Sequence, residues 1–169
     1  MKRKESKGES AWRECFVFRA IASIFMFIIT INMILWIWFP IQGIDWKVHE
    51  NMWLGIGIGI AITIPGIILM MKGEMDAGKE TLKPSAETKL YGGIYNYIRH
   101  PQSLGEFPLF IAIGFFVNSW FLIILSGIFI IIYVPIMIHY EEQDLIKRFG
   151  ESYIQYKDRT GALFPKIRK

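Results

Sequence analysis

The chain has 169 residues, a single cysteine and a formal charge of +4, with 53% hydrophobic and 20% charged residues. That length holds one domain, and the lone Cys15 excludes an intrachain disulfide and any two-cysteine metal site. The basic residues gather at the ends of apolar blocks, so membrane topology accounts for them and nucleic-acid binding does not.

An α-helix needs roughly 20 apolar residues to cross ~30 Å of hydrocarbon. The first block runs over residues 16–39 and is interrupted by Arg19, a side chain long enough to reach the interface. It exceeds the length of a signal-peptide core and lacks a small-residue cleavage site, so no cleaved leader is expected. The 40–51 loop carries Lys47 and a histidine, His49, to which no role is assigned. The second block, 52–71, contains "GIGIGI", a glycine pattern seen in dinucleotide sites. No strand precedes it here, and Gly55 and Gly59 form a small-xxx-small pair suited to helix packing.

Residues 73–100 form a long polar connection; its stretch "GEMDAGKETLKPSAETKLYGG" reads as a loop with little regular structure. Loops of that length in a small protein tend to be functional. The third block, 101–117, is short and carries Glu106 and Pro108. Only Asn118 and Ser119 separate it from the fourth, 120–138, which predicts a tight helical hairpin. The fourth block runs on without a break into the 139–169 segment. Projected as one helix, His139, Glu142, Ile146, Phe149, Tyr153 and Tyr156 step by three and four, which places Glu142 on the apolar stripe. Gly150 weakens that helix without needing to end it.

The expected fold is therefore all-α and integral to a membrane: four transmembrane helices with a C-terminal cytoplasmic amphipathic helix. Lys and Arg crowd the N-terminus, the 73–100 loop and the C-terminal tail, whereas the opposite side holds only Lys47. By the positive-inside rule both termini and the long loop face the cytoplasm. Trp36, Trp38, Trp46, Trp53 and Trp120 mark the far interface.

The chemistry concentrates around "YNYIRHPQSLGEF", residues 95–107. Pro101 suits the first position of a helix, which makes His100 the cap and puts Arg99 just outside. Backbone N–H groups, an imidazole and a guanidinium together suit a carboxylate or a phosphate. Glu106 lies one turn beyond Gln102. Glu142, an acid on an inward face, calls for a cation, a hydroxyl or an amine as partner, and Glu141 is displaced from that stripe.

The pattern "GGIYNYIRHPQSLGE", a helical hairpin, then "EEQDLIKRFGESYIQYKDRTGALFP" resembles the isoprenylcysteine carboxyl methyltransferase family, with the membrane phospholipid N-methyltransferases as broader relatives. The resemblance covers about residues 90–165, and the chain looks like a compact version lacking an N-terminal span. Ser103 stands where such proteins often have Tyr. What the resemblance implies is a membrane enzyme that binds S-adenosylmethionine on the cytoplasmic side and methylates a lipid-like or prenylated acceptor. Carried over by position, the cofactor-binding residues would be Gly93, Tyr95, Arg99, His100, Gly105, Glu141 and Glu142, with Tyr153, Tyr156 and Pro165 shaping the pocket. Arg99, Glu106 and Glu142 are the catalytic candidates, with Glu106 as base should the acceptor be an ammonium. Two other readings compete: an NADPH-dependent double-bond reductase, because membrane sterol reductases resemble this family in their C-terminal halves, and a non-catalytic scaffold that keeps the motifs as structure.

Overall fold

The computed structural model describes residue 24 and residues 26–77 and 92–166. The basic N-terminus, Cys15, Arg19, most of the polar loop and the last three residues lie outside the described residues. Within them the chain is helical, and β-pairing is confined to two isolated bridges, Lys47–Ser119 and Ile98–Gly161. The helices are α1 (Met26–Leu35), α2 (Met52–Ala77), α3 (Pro101–Glu106), α4 (Pro108–Phe116), α5 (Trp120–Phe149) and α6 (Glu151–Arg159).

Two of these are long and apolar enough to cross a bilayer. The 26 residues of α2 and the 30 of α5 span ~39 Å and ~45 Å at 1.5 Å per residue. Both exceed the ~30 Å hydrocarbon core, so α5 carries its last turns, with Glu141 and Glu142, past its apolar run. Helix α2 continues to Ala77, beyond the expected end at 71 and into the segment read as loop. There Lys72 and Asp76 pair at 3.2 Å one turn apart, the spacing that supports a helix.

The third block differs from the single span expected over 101–117. It is two helices joined at Phe107, because Pro108 has no N–H to give the carbonyl of Leu104. Gly150 likewise ends α5, where the sequence allowed the helix to run on. Its φ of 58° turns the chain, and α6 restarts at Glu151.

Glycines let α2 lie close against α3 and α4. A Cβ on Gly55 would sit 2.7 Å from the Phe115 carbonyl oxygen, and one on Gly66 2.7 Å from that of Gly105. From the other side, a Cβ on Gly105 would meet the Gly66 oxygen at 2.4 Å and the Met70 nitrogen at 2.7 Å. Gly59 faces the Phe116 ring in the same way, so the Gly55–Gly59 pair serves helix packing within this chain. On the remaining side α1 and α5 meet through Trp36 stacked on Phe121 at 5.1 Å, over a core of Met33, Phe107, Phe110, Leu122, Val134 and Ile138.

The predicted hairpin is present. Asn118 takes φ of 57°, a region that asparagine tolerates better than most residues. Its side-chain oxygen accepts from the N–H groups of Val48 and His49, both at 3.1 Å, which stitches the 40–51 loop to the turn. Ser119 then caps α5 by accepting from Leu122 N–H.

Candidate active site

At the opposite end of the helices three segments converge: the approach to α3, the last turns of α5, and α6 with the stretch after it. A 3₁₀ turn over Gly93–Asn96 leads the chain into α3. Gly93 has φ of 60°, and the space its side chain would fill is taken by the Asp76 carboxylate, which accepts from Ile94 N–H at 2.7 Å. The end of α2 therefore sets the path of this turn. Tyr95 is buried, and its carbonyl accepts from the Tyr156 hydroxyl at 2.7 Å.

Past α6 the chain comes back alongside residues 98–100. Arg99 N–H donates to the Gly161 carbonyl at 2.8 Å and His100 N–H to that of Ala162 at 3.0 Å. The side chains complete the closure. Arg99 places Nε and Nη2 on Glu142 Oε1 at 2.8 and 2.7 Å, and Nη1 on the carbonyls of Lys157 and Thr160. Its guanidinium is thus engaged within the protein, where the sequence pointed to a ligand anion at the helix end. The six-residue α3 has His100 as its N-cap, with no capping side chain.

Glu142 is the centre of the cluster. Its side chain is only 5% exposed, Lys157 Nζ lies 2.6 Å from Oε2, and His100 Nε2 is 3.4 Å from Oε1. Burial would raise this carboxyl; hydrogen bonds from His100, Lys157 and Arg99 outweigh it and hold the pKa down to about 2. The other ring nitrogen of His100, Nδ1, faces Glu141 Oε2 at 3.2 Å. Desolvation works against the imidazolium, but the two carboxylates prevail and raise its pKa. With His100 protonated, three cations (Arg99, His100, Lys157) meet two anions (Glu141, Glu142).

Tyr153 completes the site. It is 1% exposed, its hydroxyl has no hydrogen-bond partner among the described residues, and burial, with the Glu142 charge adding, pushes its pKa up. A buried donor left unpaired costs roughly 1–3 kcal/mol, which marks a place where a ligand's polar atom would be favourable.

Of the residues singled out in the sequence, Arg99, His100, Glu141 and Glu142 meet in one cluster, with Gly93 and Tyr95 on the adjoining turn. Two stand elsewhere. Gly105 is packed between Gly66 and Met70 in the α2–α3 contact. Glu106 is exposed and makes no ion pair among the described residues. The sequence reading missed Lys157 and Asp76. The first follows Tyr156 directly on the stripe, and the second stands four residues after Lys72, a helical spacing inside what read as a loop.

The helices thus end in a polar cluster built from one Arg-His-Pro segment and one Glu-Glu pair. Residues 55–152 match the phospholipid methyltransferase family (PEMT), and the chain belongs to that family. It is 26% identical over 156 residues to methanethiol S-methyltransferase of Pseudomonas deceptionensis, covering 83% of this chain and 57% of that one. Methanethiol S-methyltransferase 1 of Bradyrhizobium diazoefficiens is 26% identical over 159 residues, covering 81% and 51%. The chain therefore spans about half the length of the curated relatives it matches. Among solved structures it resembles the eukaryotic intramembrane Ras methyltransferase ICMT, isoprenylcysteine carboxyl methyltransferase, with a TM-score of 0.59 and 25% identity over 69% of this chain and 44% of the other. Family membership and two exposed apolar helices make this an integral membrane protein.

Proposed function

We propose that the chain is an S-adenosylmethionine-dependent methyltransferase that acts on a lipophilic acceptor. Its topology in this reading has four spans, with both termini and the Glu142 cluster on the cytoplasmic side. The observation that carries it is the buried meeting of Arg99, His100, Glu141 and Glu142 beside the unpaired Tyr153 hydroxyl. That donor set suits a zwitterionic ligand. Glu141, 26% exposed on its side chain, is placed to take an amine or ribose hydroxyls. Tyr153, whose hydroxyl has no partner among the described residues, offers a donor to an anionic group, while His100 spends both ring nitrogens on Glu141 and Glu142 and fixes where they stand. Gly93 and Tyr95 line the approach as backbone. Arg99 and Lys157 act one step back, holding Glu142 in position.

When bound, the cofactor supplies an electrophilic methyl group on a sulfonium. The protein's part is to align that methyl with the acceptor and to keep water out, because an anionic acceptor reacting with a cationic donor loses charge on the way to the transition state. A carboxylate needs no base. An amine or thiol must lose a proton, and Glu106, exposed at the edge of α3, is the candidate acceptor of it. The acceptor itself enters sideways from the bilayer. The prenylcysteine-type carboxylate and the phospholipid-type amine are the primary classes. A small thiol is the second reading, favoured by the two methanethiol S-methyltransferases among the relatives. Family membership favours methyl transfer over the reductase.

Calorimetric titration of the detergent-purified protein with S-adenosylhomocysteine, beside NADPH, tests the cofactor class. Micromolar-range binding that is lost in Glu141→Gln and His100→Ala is the expected result. Binding of NADPH with none of the thioether would overturn it. Labelled methyl donor offered with prenylcysteine, phosphatidylethanolamine and short-chain thiols then identifies the acceptor.

A further inference from the structure

Lys157 is the most exposed side chain of the Glu142 cluster: 40% exposed, against 26% for Glu141, 7% for Arg99, 5% for Glu142 and 4% for His100. It also has its own oxygen. Arg99 and His100 direct their nitrogens to Glu142 Oε1, whereas Lys157 Nζ takes Oε2 at 2.6 Å. A lysine is a point charge on a flexible stem, and at the mouth of the cluster it can turn out to water at small cost. Glu142 is in the opposite position, because a buried carboxylate that loses a partner is strongly destabilised. The exchange open to Oε2 is therefore one ammonium for another.

A second feature points to a ligand at the same place. Tyr153 stands four residues before Lys157 on α6, so the two share a helix face. It is 1% exposed, its hydroxyl has no hydrogen-bond partner among the described residues, and it feels the charge of Glu142. An anionic oxygen held by an exchangeable cation and an unused donor, in one cluster, suit an α-amino acid group: its ammonium on the first, its carboxylate on the second. We propose that Lys157 and the ammonium of the methyl donor are alternative partners of Glu142 Oε2, the ligand's amine taking the oxygen while the Lys157 side chain turns out to water. This rests on the reading of the cluster as a cofactor site and deepens it, giving the amine to Glu142 and leaving Glu141 for ribose hydroxyls. Lys157 is then a positioning residue that holds Glu142 until the ligand does. A ligand with a carboxylate and no amine has nothing to offer Oε2 and leaves Lys157 in place.

The test pairs a change in the protein with a change in the ligand. S-adenosylhomocysteine and its analogue lacking only the amino group are titrated calorimetrically, at neutral pH, into the detergent-purified full chain and into Lys157→Met. In the unmodified protein the amine gains Oε2 only by displacing Lys157, so the two ligands should bind with similar affinity. In Lys157→Met no ammonium competes, and the amine should add about tenfold more to affinity than in the unmodified protein, the scale of a hydrogen bond to a charged group. An amine contribution equal in the two proteins, or smaller in Lys157→Met, would overturn the inference. A second readout needs no variant. Modification of Lys157 by an amine-reactive reagent, read by mass spectrometry against Lys47 at the opposite end of the helices, should rise severalfold with S-adenosylhomocysteine and stay unchanged with the analogue. Protection of Lys157 by S-adenosylhomocysteine, or no change, would overturn the inference even if Lys157→Met failed to fold. Failure of both ligands to bind the unmodified protein would instead strike the cofactor reading itself and take the inference with it.

Discussion

Helix α3 belongs to two regions built on opposite principles. Its C-terminal half lies against α2 with almost no side chain between them, Gly105 against Gly66, and is stabilised by close backbone contact. Its N-terminal approach, Arg99 and His100, is held by charge, with Glu142 receiving three cations in a nearly closed space. Within a membrane, burying apolar surface does little to join helices, so small residues and tight packing serve there. Past the bilayer the same helices can use ion pairs, but only where each charge is matched. The first region fixes how deep α3 sits; the second fixes the groups that meet at its end.

Breaking the charged region should have the largest effect. Glu142→Ala leaves Arg99, itself 7% exposed on its side chain, and Lys157 without their carboxylate. Removing one partner of a buried pair typically costs roughly 3–5 kcal/mol. The unfolding temperature should fall steeply and S-adenosylhomocysteine binding should vanish. Glu142→Gln keeps the shape without the charge, so stability that returns to the unmodified value would show that packing, not pairing, organises the cluster. In the packed region Gly105→Leu is the matching test. Overpacking costs typically 1–3 kcal/mol, and because the obstructing atoms are α2 backbone the helices must separate. The expected outcome is lower stability with cofactor affinity reduced only as far as α3 shifts, the reverse of the Glu142 pattern.

How much of each region could be read from the sequence follows from the same contrast. Periodicity exposed Glu142 as inward-facing, and Gly55 and Gly59 as packing residues, because both depend on local helical spacing. Pro101 at the start of α3 and the Asn118–Ser119 turn were equally local. The break at Pro108 and the end of α5 at Gly150 were less visible, since whether a proline or glycine interrupts a helix depends on what the neighbouring helices tolerate. Least legible were the partners. That Arg99 engages Glu142 and two carbonyls of the C-terminal segment, and that Asp76 reaches Ile94, are contacts across 43, 58 and 61, and 18 positions. No spacing rule encodes them. The motif contains residues that meet, and the structure pairs Arg99 with Glu142 and two backbone carbonyls.

His100 offers a way to sharpen the comparison without dismantling either region. Its pKa is raised in the folded protein, so folding favours the protonated form. The stabilisation is complete below the free value of about 6.5 and is lost as pH rises through the higher folded value. Unfolding temperature should decline as pH climbs above 6.5, and His100→Gln should flatten that decline. The Glu142 carboxyl works in the opposite sense: its contribution is present above about 4.5 and disappears only as pH falls toward about 2. A pH profile in Gly105→Leu should keep the neutral-range slope of the unmodified protein, since the substitution leaves His100 and its two carboxylates in place.

The smallest effect on stability should come from Asp76, yet it joins the two regions and so tests whether they communicate. It stands at the end of the glycine-striped α2, and its carboxylate both accepts from Ile94 N–H and occupies the space beside Gly93. Hydrogen bonds from Ile94 and then Lys72 keep that carboxyl below its usual value, so the acceptor is ionised throughout the neutral range. Asp76→Asn retains the shape and one acceptor, whereas Asp76→Ala frees the turn that carries Tyr95. Misplacing a positioned group by about 1 Å can cost ~100-fold in rate. Asp76→Ala should therefore raise the KM for the methyl donor and lower kcat with little change in unfolding temperature, and Asp76→Asn should recover most of both. Loss of stability matching the loss of rate would mean that the turn is structural only, and that helix packing in the membrane reaches the charged cluster by some other route than the end of α2.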